Sequence, residues 1–560
     1  MSGSVGGTVY EAFRRSAERY PDNEFLSVLA QTAAKYSIEA RSYSYADALL
    51  EVAELERGYR DAGVGVGQRV GLMLENRPAF FFHWLALNAL GASVVPINTE
   101  WRSAELEYLV GHSEMAVAVV PAERVEELKL AGVDAGRRLA VTTPDLAMLG
   151  NLRESGRAPA SGPNLRESGR PPAAPGAYTE CALLYTSGTT GRPKGCVLPN
   201  EYFLCAGRWY AEIGGLCTIS AGKERLLTPL PMSHMNAMAY STMVMLLTGG
   251  CIVPLDRFHP GSWWNSVRES RATIVHYLGV MPAMLLGAPR DDGDRMHSVR
   301  FGFGAGVSPR LHAAFEERFG FPLLEAWAMT ETGAGAVIIA NREPRKVGTA
   351  CFGKPGSTVA WRVVNEEGRD VGIDQPGELL VRGEGDLPRL GFFREYLKDP
   401  DATAAAWEGG YFHTGDIVSV DADGDFHFVD RKKNVIRRSG ENISAVEVES
   451  VLLQHPGIAS AGVSAVPDEV RGDEVMACIV PRVPVKESES DSFARGVVEF
   501  CLARLAYFKA PGYVALCERL PLTATEKIQR AQLKELGRTR LESGACIDLR
   551  SMKRRTVVTS

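Results

Sequence analysis

Apolar and polar positions fall into blocks whose order repeats along the chain. Residues 67–98, "GQRVGLMLENRPAFFFHWLALNALGASVVPIN", open on a short apolar run and cross a polar turn before Pro78. They continue as an apolar block of helix length and return through Gly91 to a β-branched run ending at Pro96. Residues 222–256, "GKERLLTPLPMSHMNAMAYSTMVMLLTGGCIVPLD", follow the same order. Residues 298–327 follow it again, with Ser308 at an N-cap, Pro309 at the first helical position and Gly320 closing the helix. By length and order these are strand–helix–strand units. Their strands read as apolar on both faces, which predicts parallel sheets covered by helices, and two of them, since the copies flank residues 185–195. Within the second unit, Met235–Leu255 carries no charge over 21 residues, near the length that spans a bilayer. Gly249, Gly250 and Pro254 divide it, so a buried helix, a turn and a strand are predicted in place of a membrane segment.

Elsewhere the pattern changes character. Residues 151–176 contain the heptapeptide NLRESGR twice, thirteen residues apart, among frequent Pro and Gly. So little apolar surface cannot offset the entropy of ordering, which predicts a mobile surface connection that arose by local duplication. From Gly377 short strands and turns dominate, with Asp423-Gly424 as a hairpin signal. Beyond Lys433 a smaller α+β unit follows, opened by the capping-box pattern Ser444 to Glu447 and continued by the strands "IASAGVSAV" and "EVMACIVP". The basic run at 431–433 therefore separates residues 1–431 from residues 432–560.

A length of 560 residues calls for several domains. Apolar residues at 45% and charged residues at 23% exclude a disordered, collagen-like or disulfide-scaffold chain. With 62 Lys and Arg against 68 Asp and Glu, the net charge of −6 is too mild and dispersed for a nucleic-acid partner, and the basic tail "MKRRTVVTS" reads as a solvated terminus. Ten cysteines with no CxxC pair and no His at zinc-finger spacing fit a reduced cytoplasm, and the N-terminus lacks the features of a signal peptide.

The candidate chemistry begins at "YTSGTTGRPKG", Tyr185 to Gly195, where four Ser or Thr hydroxyls, three glycines and two cations follow an apolar strand end. Such a turn presents N–H and O–H groups to an anion, with phosphate the natural guest. It is not a Walker A loop, because Lys194 precedes Gly195 where that order needs Gly-Lys-Ser/Thr. Neither "GVGVGQRV" nor "GFGAGV" satisfies G-x-G-x-x-G, since Val70 and Val307 take the last position. No G-x-S-x-G elbow is present, which argues against Ser187 as a hydrolase nucleophile.

The full string, followed in order by "AMTETG" (328–333), "GELLVRG" (377–383), "YFHTGD" (411–416), "DRKKNVIRRSGENISAVEVE" (430–449) and "PLTATEKIQR" (521–530), resembles the adenylate-forming superfamily over nearly the whole chain. That superfamily includes acyl-CoA synthetases, luciferases and peptide-synthetase adenylation domains. The resemblance implies an α/β fold: a large N-terminal domain with two doubly wound parallel-sheet subdomains and a small β subdomain, then a small mobile α+β C-terminal lid with its hinge near Lys433. It implies ATP and Mg²⁺, a carboxylic acid, and CoA as co-substrate. Thr186, Ser187, Gly188, Thr189, Thr190, Gly191 and Lys194 would enclose the β- and γ-phosphates, Thr330 would touch the α-phosphate and Glu331 would hold Mg²⁺. Asp416 would accept the ribose hydroxyls, Arg431 would contact the ribose, Gly304, Ala305 and Gly306 would face the adenine edge, and Trp327, after Ala326, would cover the ring where the family usually has Tyr. Lys527 matches the adenylation lysine, with "TEK" in place of the more frequent "TGK". The reacting carboxylate is already ionised, so no general base is needed for its attack on the α-phosphate, and catalysis reduces to positioning and charge neutralisation.

Thioester formation needs a thiol to approach along the path Lys527 would obstruct. The resemblance implies that rotation about Lys433 clears that path and that Gly440, in "SGEN", passes close to the pantetheine chain. His234 follows the first strand of the second unit and resembles the gate between acid and thiol sites. Met238, Tyr240, Met243, Tyr277, Gly279 and Met281 are candidates for the acid pocket, and fit a plain core equally well. The segment "PLPMSHMNAMAYSTM" resembles carnitine and crotonobetaine CoA ligases, with aromatic acids also open. The expected activity is that of an AMP-forming acyl-CoA ligase. Its rivals are transfer to a carrier-protein pantetheine, a luciferase-like oxidation, and non-catalytic nucleotide or acyl-adenylate binding. Oligomeric state, a homodimer included, is left open.

Overall fold

The computed structural model describes residues 6–147, 149, 174–186, 193–307, 309–365, 367–431, 435–439, 441–521, 528 and 530–553. The duplicated NLRESGR segment, the N-cap at Ser308 and the tail beyond Lys553 lie outside them. Contacts divide the chain into two compact units, one of residues 1–99, 110–184 and 195–430, the other of residues 100–109, 185–194 and 431–560.

In the first unit the three repeats fold as their patterns dictate. Strand β1 (Arg69–Leu72), helix α1 (Pro78–Ala89) and β2 (Ser93–Pro96) form a unit with parallel strands. Helix α1 is apolar on every side and correspondingly buried all round, from Phe80 to Asn88. Strands β3 (Glu180–Thr186) and β4 (Lys194–Pro199) join the same sheet, which has seven strands among the described residues. The second repeat gives β5 (Arg225–Thr228), a π-helical turn at Asn236–Ser241, α2 (Thr242–Thr248) and β6 (Cys251–Pro254), parallel to β5. After β7 (Ile274–Leu278), the third gives β8 (Phe301–Ala305), α3 (Pro309–Phe319) and β9 (Leu323–Trp327). Strands β5, β7, β8 and β9 are consecutive parallel neighbours, so their carboxyl ends share one edge.

Antiparallel strands extend this sheet beyond β9, giving thirteen strands among the described residues. They start at Ile338, well before Gly377, because the first of them is only two residues long and carries no periodic signal. They include β10 (Gly377–Gly383) and β12 (Phe412–Val420), between which β11 (Glu395–Tyr396) crosses to pair with β4, and end with β13 (Phe426–Arg431). The Asp423-Gly424 turn joins β12 to β13, with Gly424 at φ +84°. Beside it the Lys346 ammonium lies 2.5, 2.7 and 3.2 Å from Asp421, Asp423 and Asp425, so the acidic trio already holds a cation.

The second unit carries a six-stranded sheet among its described residues. Strand β14 (Val435–Arg438) precedes α4 (Ala445–Leu452), where the Glu447 carboxylate accepts the Lys509 ammonium at 2.7 Å. The long hairpin β15 (Ile458–Asp468) and β16 (Gly472–Pro481), β17 (Tyr513–Leu516) parallel to β16, and the short strands Glu441–Ser444 and Ile547–Asp548 make up the rest of the sheet, and helix α5 (Arg530–Glu542) also belongs to this unit. Among the described residues no helix is long and apolar enough to cross a membrane.

Candidate active site

The carboxyl edge of the parallel strands in the first unit collects the candidates for nucleoside binding. Gly304 and Ala305 end β8, and Gly306 follows at φ +81° with open space where a side chain would stand. Gly304 is required by the fold itself, because a Cβ there would lie 2.3 Å from the Tyr277 carbonyl oxygen. Beyond the strand, Gly306 N–H and Val307 N–H donate to the Glu325 carboxylate at 2.9 and 3.2 Å, and the Tyr277 hydroxyl donates to it at 2.8 Å. Burial raises the Glu325 carboxyl above the usual carboxylate range, and these three donors offset that only in part. Replacing Glu325 with alanine strands two backbone N–H groups and a buried hydroxyl. A loss of about 3 kcal/mol in urea unfolding is expected.

Glu325 and Trp327 stand two apart on β9, hence on one face of the sheet, with Ala326 on the other. The Trp327 indole N–H donates to Asp416 Oδ2 at 2.9 Å, with both residues buried. Asp416 owes its aim to a bulge: between the pairs Glu378–Ile417 and Leu380–His413, β12 holds three residues against one on β10. Thr414 Oγ1 donates to the Leu379 carbonyl at 2.6 Å and accepts from Asp416 N–H at 3.0 Å. Gly415, at φ +66°, donates to Glu378 at 3.1 Å.

Just past β9, Thr330 is half-buried and Glu331 buried. Glu331 accepts the Tyr396 hydroxyl at 2.9 Å, and its carbonyl accepts from Phe393 N–H at 2.9 Å. Burial first, then the Glu331 charge, pushes the Tyr396 phenol well above its ordinary range, so Tyr396 acts as a fixed donor.

His234 sits half-buried in the turn after β5. Asn76 holds this turn: its amide donates to the carbonyls of Leu230 and Leu255 at 2.9 and 2.7 Å, and its Oδ1 accepts from Met232 N–H at 2.9 Å. The pocket candidates divide between two apolar clusters. Met238, Tyr240 and Met243 join the core that contains Phe303, whereas Tyr277 and Met281 belong to a separate cluster with Trp263 and Phe315. His276, one position from Tyr277, faces the π-helical turn instead, hydrogen-bonded to Asn236 Oδ1 at 2.7 Å, Ser241 Oγ at 2.8 Å and the Tyr210 hydroxyl at 3.0 Å. Burial pushes its imidazole down to about 3, so it is a neutral structural group.

Of the phosphate-loop candidates, Thr186 ends β3 and Lys194 begins β4. Ser187, Gly188, Thr189, Thr190, Gly191, Lys433, Gly440, Lys527 and the side chain of Arg431 lie outside the described residues. Sequence reasoning missed Glu325, Tyr396 and Asn76. The signal for Glu325 was a carboxylate inside an otherwise apolar strand.

Residues 13–397 match the family model described as AMP-binding enzyme, and residues 447–527 match the AMP-binding enzyme C-terminal domain. A crotonobetaine/carnitine–CoA ligase of Salmonella paratyphi A is 30% identical over 501 residues, covering 88% of this chain and 93% of that protein. A doubly substituted o-succinylbenzoate CoA synthetase of Bacillus subtilis superposes with a TM-score of 0.78 at 23% identity, covering 95% of this chain and 99% of that one. An amide bond synthetase of Marinactinospora thermotolerans gives 0.76 at 22%, covering 94% and 99%.

Proposed function

This chain belongs to the AMP-binding enzymes of the adenylate-forming superfamily, and on that premise we propose that its residues divide the work of an AMP-forming acyl-CoA ligase as follows. ATP and a carboxylic acid give an acyl-adenylate and pyrophosphate, and CoA then displaces AMP to give acyl-CoA. The observation that supports the assignment of the nucleoside site is the Trp327–Asp416 hydrogen bond, with Trp327 ending the strand that runs parallel to and beside the one ending at Gly304 and Ala305.

Asp416 takes the ribose hydroxyls, the Gly304–Gly306 turn admits the adenine edge, and Trp327 covers the base. Thr330 reaches the α-phosphate. The loop from Thr186 to Lys194 surrounds the outer phosphates. Glu331, one buried carboxylate fixed by a neutral donor, suits Mg²⁺, which takes few protein ligands and completes its shell with phosphate oxygens and water. When bound, the ion supplies charge neutralisation on the phosphates. Lys527 bridges the acid and the α-phosphate in the first step. Movement of the C-terminal domain about Lys433 then opens the way to thiol along Gly440, with His234 at the gate. The ten cysteines form no disulfide, which supports a reducing compartment, the cytoplasm.

The test is a panel of carboxylic acids, from short-chain and trimethylammonium-bearing to aromatic, assayed for pyrophosphate release with and without CoA. We expect acid-dependent release with every accepted acid, and acyl-CoA only when CoA is supplied. Absence of acid-dependent release across the panel overturns the proposal. Release without acyl-CoA formation moves the acceptor to another nucleophile.

A further inference from the structure

The stacking role assigned to Trp327 leaves its indole N–H unexplained, since any aromatic ring covers a base. That N–H points at Asp416 Oδ2 from 2.9 Å in a buried setting, with Trp327 6% and Asp416 1% exposed. The two residues are 89 apart in sequence, so the bond is a tertiary one. An indole N–H is a donor only, and a carboxylate oxygen has two lone-pair sites. The bond therefore uses one lone pair of Oδ2 and orients the carboxylate.

The backbone of Asp416 is fixed on its own account by the bulge, through Thr414 and Gly415. The backbone contacts leave the side-chain torsion to be set by what the carboxylate meets, and the Trp327 indole N–H is one such group. Phenylalanine at this position has no donor, and tyrosine carries its hydroxyl at the far end of the ring in place of an N–H on its flank.

We propose that Trp327 is a positioning residue for ribose recognition: its indole N–H orients the Asp416 carboxylate toward the 2′- and 3′-hydroxyls, in addition to covering the adenine. This rests on the reading of Asp416 as the ribose ligand. The consequence is separable from stacking. Loss of stacking weakens every adenine nucleotide by one factor, whereas loss of orientation weakens those with a 2′-hydroxyl more than those without.

The experiment uses the full chain with Trp327→Phe, Asp416→Asn and the double variant. Binding of AMP and 2′-deoxy-AMP is measured by calorimetry, and KM for ATP and 2′-deoxy-ATP by pyrophosphate release with a saturating acid. Trp327→Phe is expected to weaken AMP roughly tenfold, the size of one hydrogen bond to a charged group, and to shrink the preference for AMP over 2′-deoxy-AMP, with KM for acid and CoA unchanged. In the Asp416→Asn background, which preserves shape if the larger ring change disturbs folding, Trp327→Phe is expected to leave the remaining preference where it stands. An equal loss for both nucleotides in Trp327→Phe overturns the inference and reduces the ring to stacking. The binding arm needs no turnover, so a shifted preference supports the positioning role even where acid-dependent pyrophosphate release fails and the ligase reading falls on its own.

Discussion

Replacing Lys527 with alanine is expected to lower acid-dependent pyrophosphate release by roughly 10²–10³-fold, the usual cost of removing one preorganised group that stabilises developing charge. The reason lies in the reaction. A carboxylate and an α-phosphate are both anionic, and the approach of one to the other is opposed by charge before any bond forms. No proton has to move, so the enzyme's contribution is to hold the two groups in line and to place positive charge between them. A lysine ammonium on a flexible stem supplies a compact charge that reaches both oxygens. The substitution is expected to act on kcat of the first step far more than on KM for ATP, because in the proposed division of roles the phosphate loop and Asp416 hold the nucleotide without it. Thioester formation from added acyl-adenylate and CoA should survive within a few-fold, since the proposal assigns the lysine to the first step alone. Undiminished pyrophosphate release in Lys527→Ala, or equal loss of both half-reactions, would contradict this division.

What the sequence made legible was local. The three strand–helix–strand repeats could be read because each consists of neighbouring elements whose apolar periods and glycine or proline boundaries lie within about thirty residues. Trp327, Glu331 and Asp416 could be picked out by their motifs, but the bonds that aim them could not. The Trp327–Asp416 contact needs a β-bulge whose partner strand lies more than thirty residues upstream, and Tyr396 reaches Glu331 from a strand of two residues that pairs in the other sheet. Strand alternation shows that His276 and Tyr277 face opposite ways without saying which way, so Tyr277 was grouped with Tyr240 although its hydroxyl serves Glu325 on the far side. Glu325 itself is the case where a broken local rule marked a positioning contact: a carboxylate in an apolar strand exists because two turn amides need an acceptor.

The second large effect is expected in the second unit, far from any nucleotide chemistry. Glu474 is fully buried between two cations, Arg438 Nε at 2.7 Å and Lys553 Nζ at 2.5 Å. The fit is close enough that a Cβ on Gly512 would lie 2.5 Å from its carboxyl carbon. Glu474→Gln keeps the shape and removes the charge, leaving the buried Arg438 cation without its counter-ion and driving the Lys553 proton off, at a cost of about 3–5 kcal/mol near neutral pH. The pH dependence carries a sign. Burial first, and then Arg438, push the Lys553 ammonium from 10.5 down to about 7, so the folded chain holds that proton less tightly than the unfolded one. Stability therefore falls as pH drops from 10.5 toward 7 and levels off below, where both states are protonated. Without Glu474 the lysine is pushed lower still, so the variant's deficit should hold steady between about pH 10 and 7, where both folded forms carry a neutral lysine, and grow as pH falls below 7, while Arg438 stays charged throughout. Amide hydrogen exchange along Gly472–Pro481, which reads this unit apart from the first, should show strongly accelerated opening in Glu474→Gln at pH 7. Joint replacement of Arg438, Glu474 and Lys553 by apolar residues of similar volume should recover much of the loss, because a buried charge cluster is costly to break and far less costly to exchange as a whole. Unchanged exchange in the single variant at pH 7 would show that the ion cluster does not hold this part of the fold.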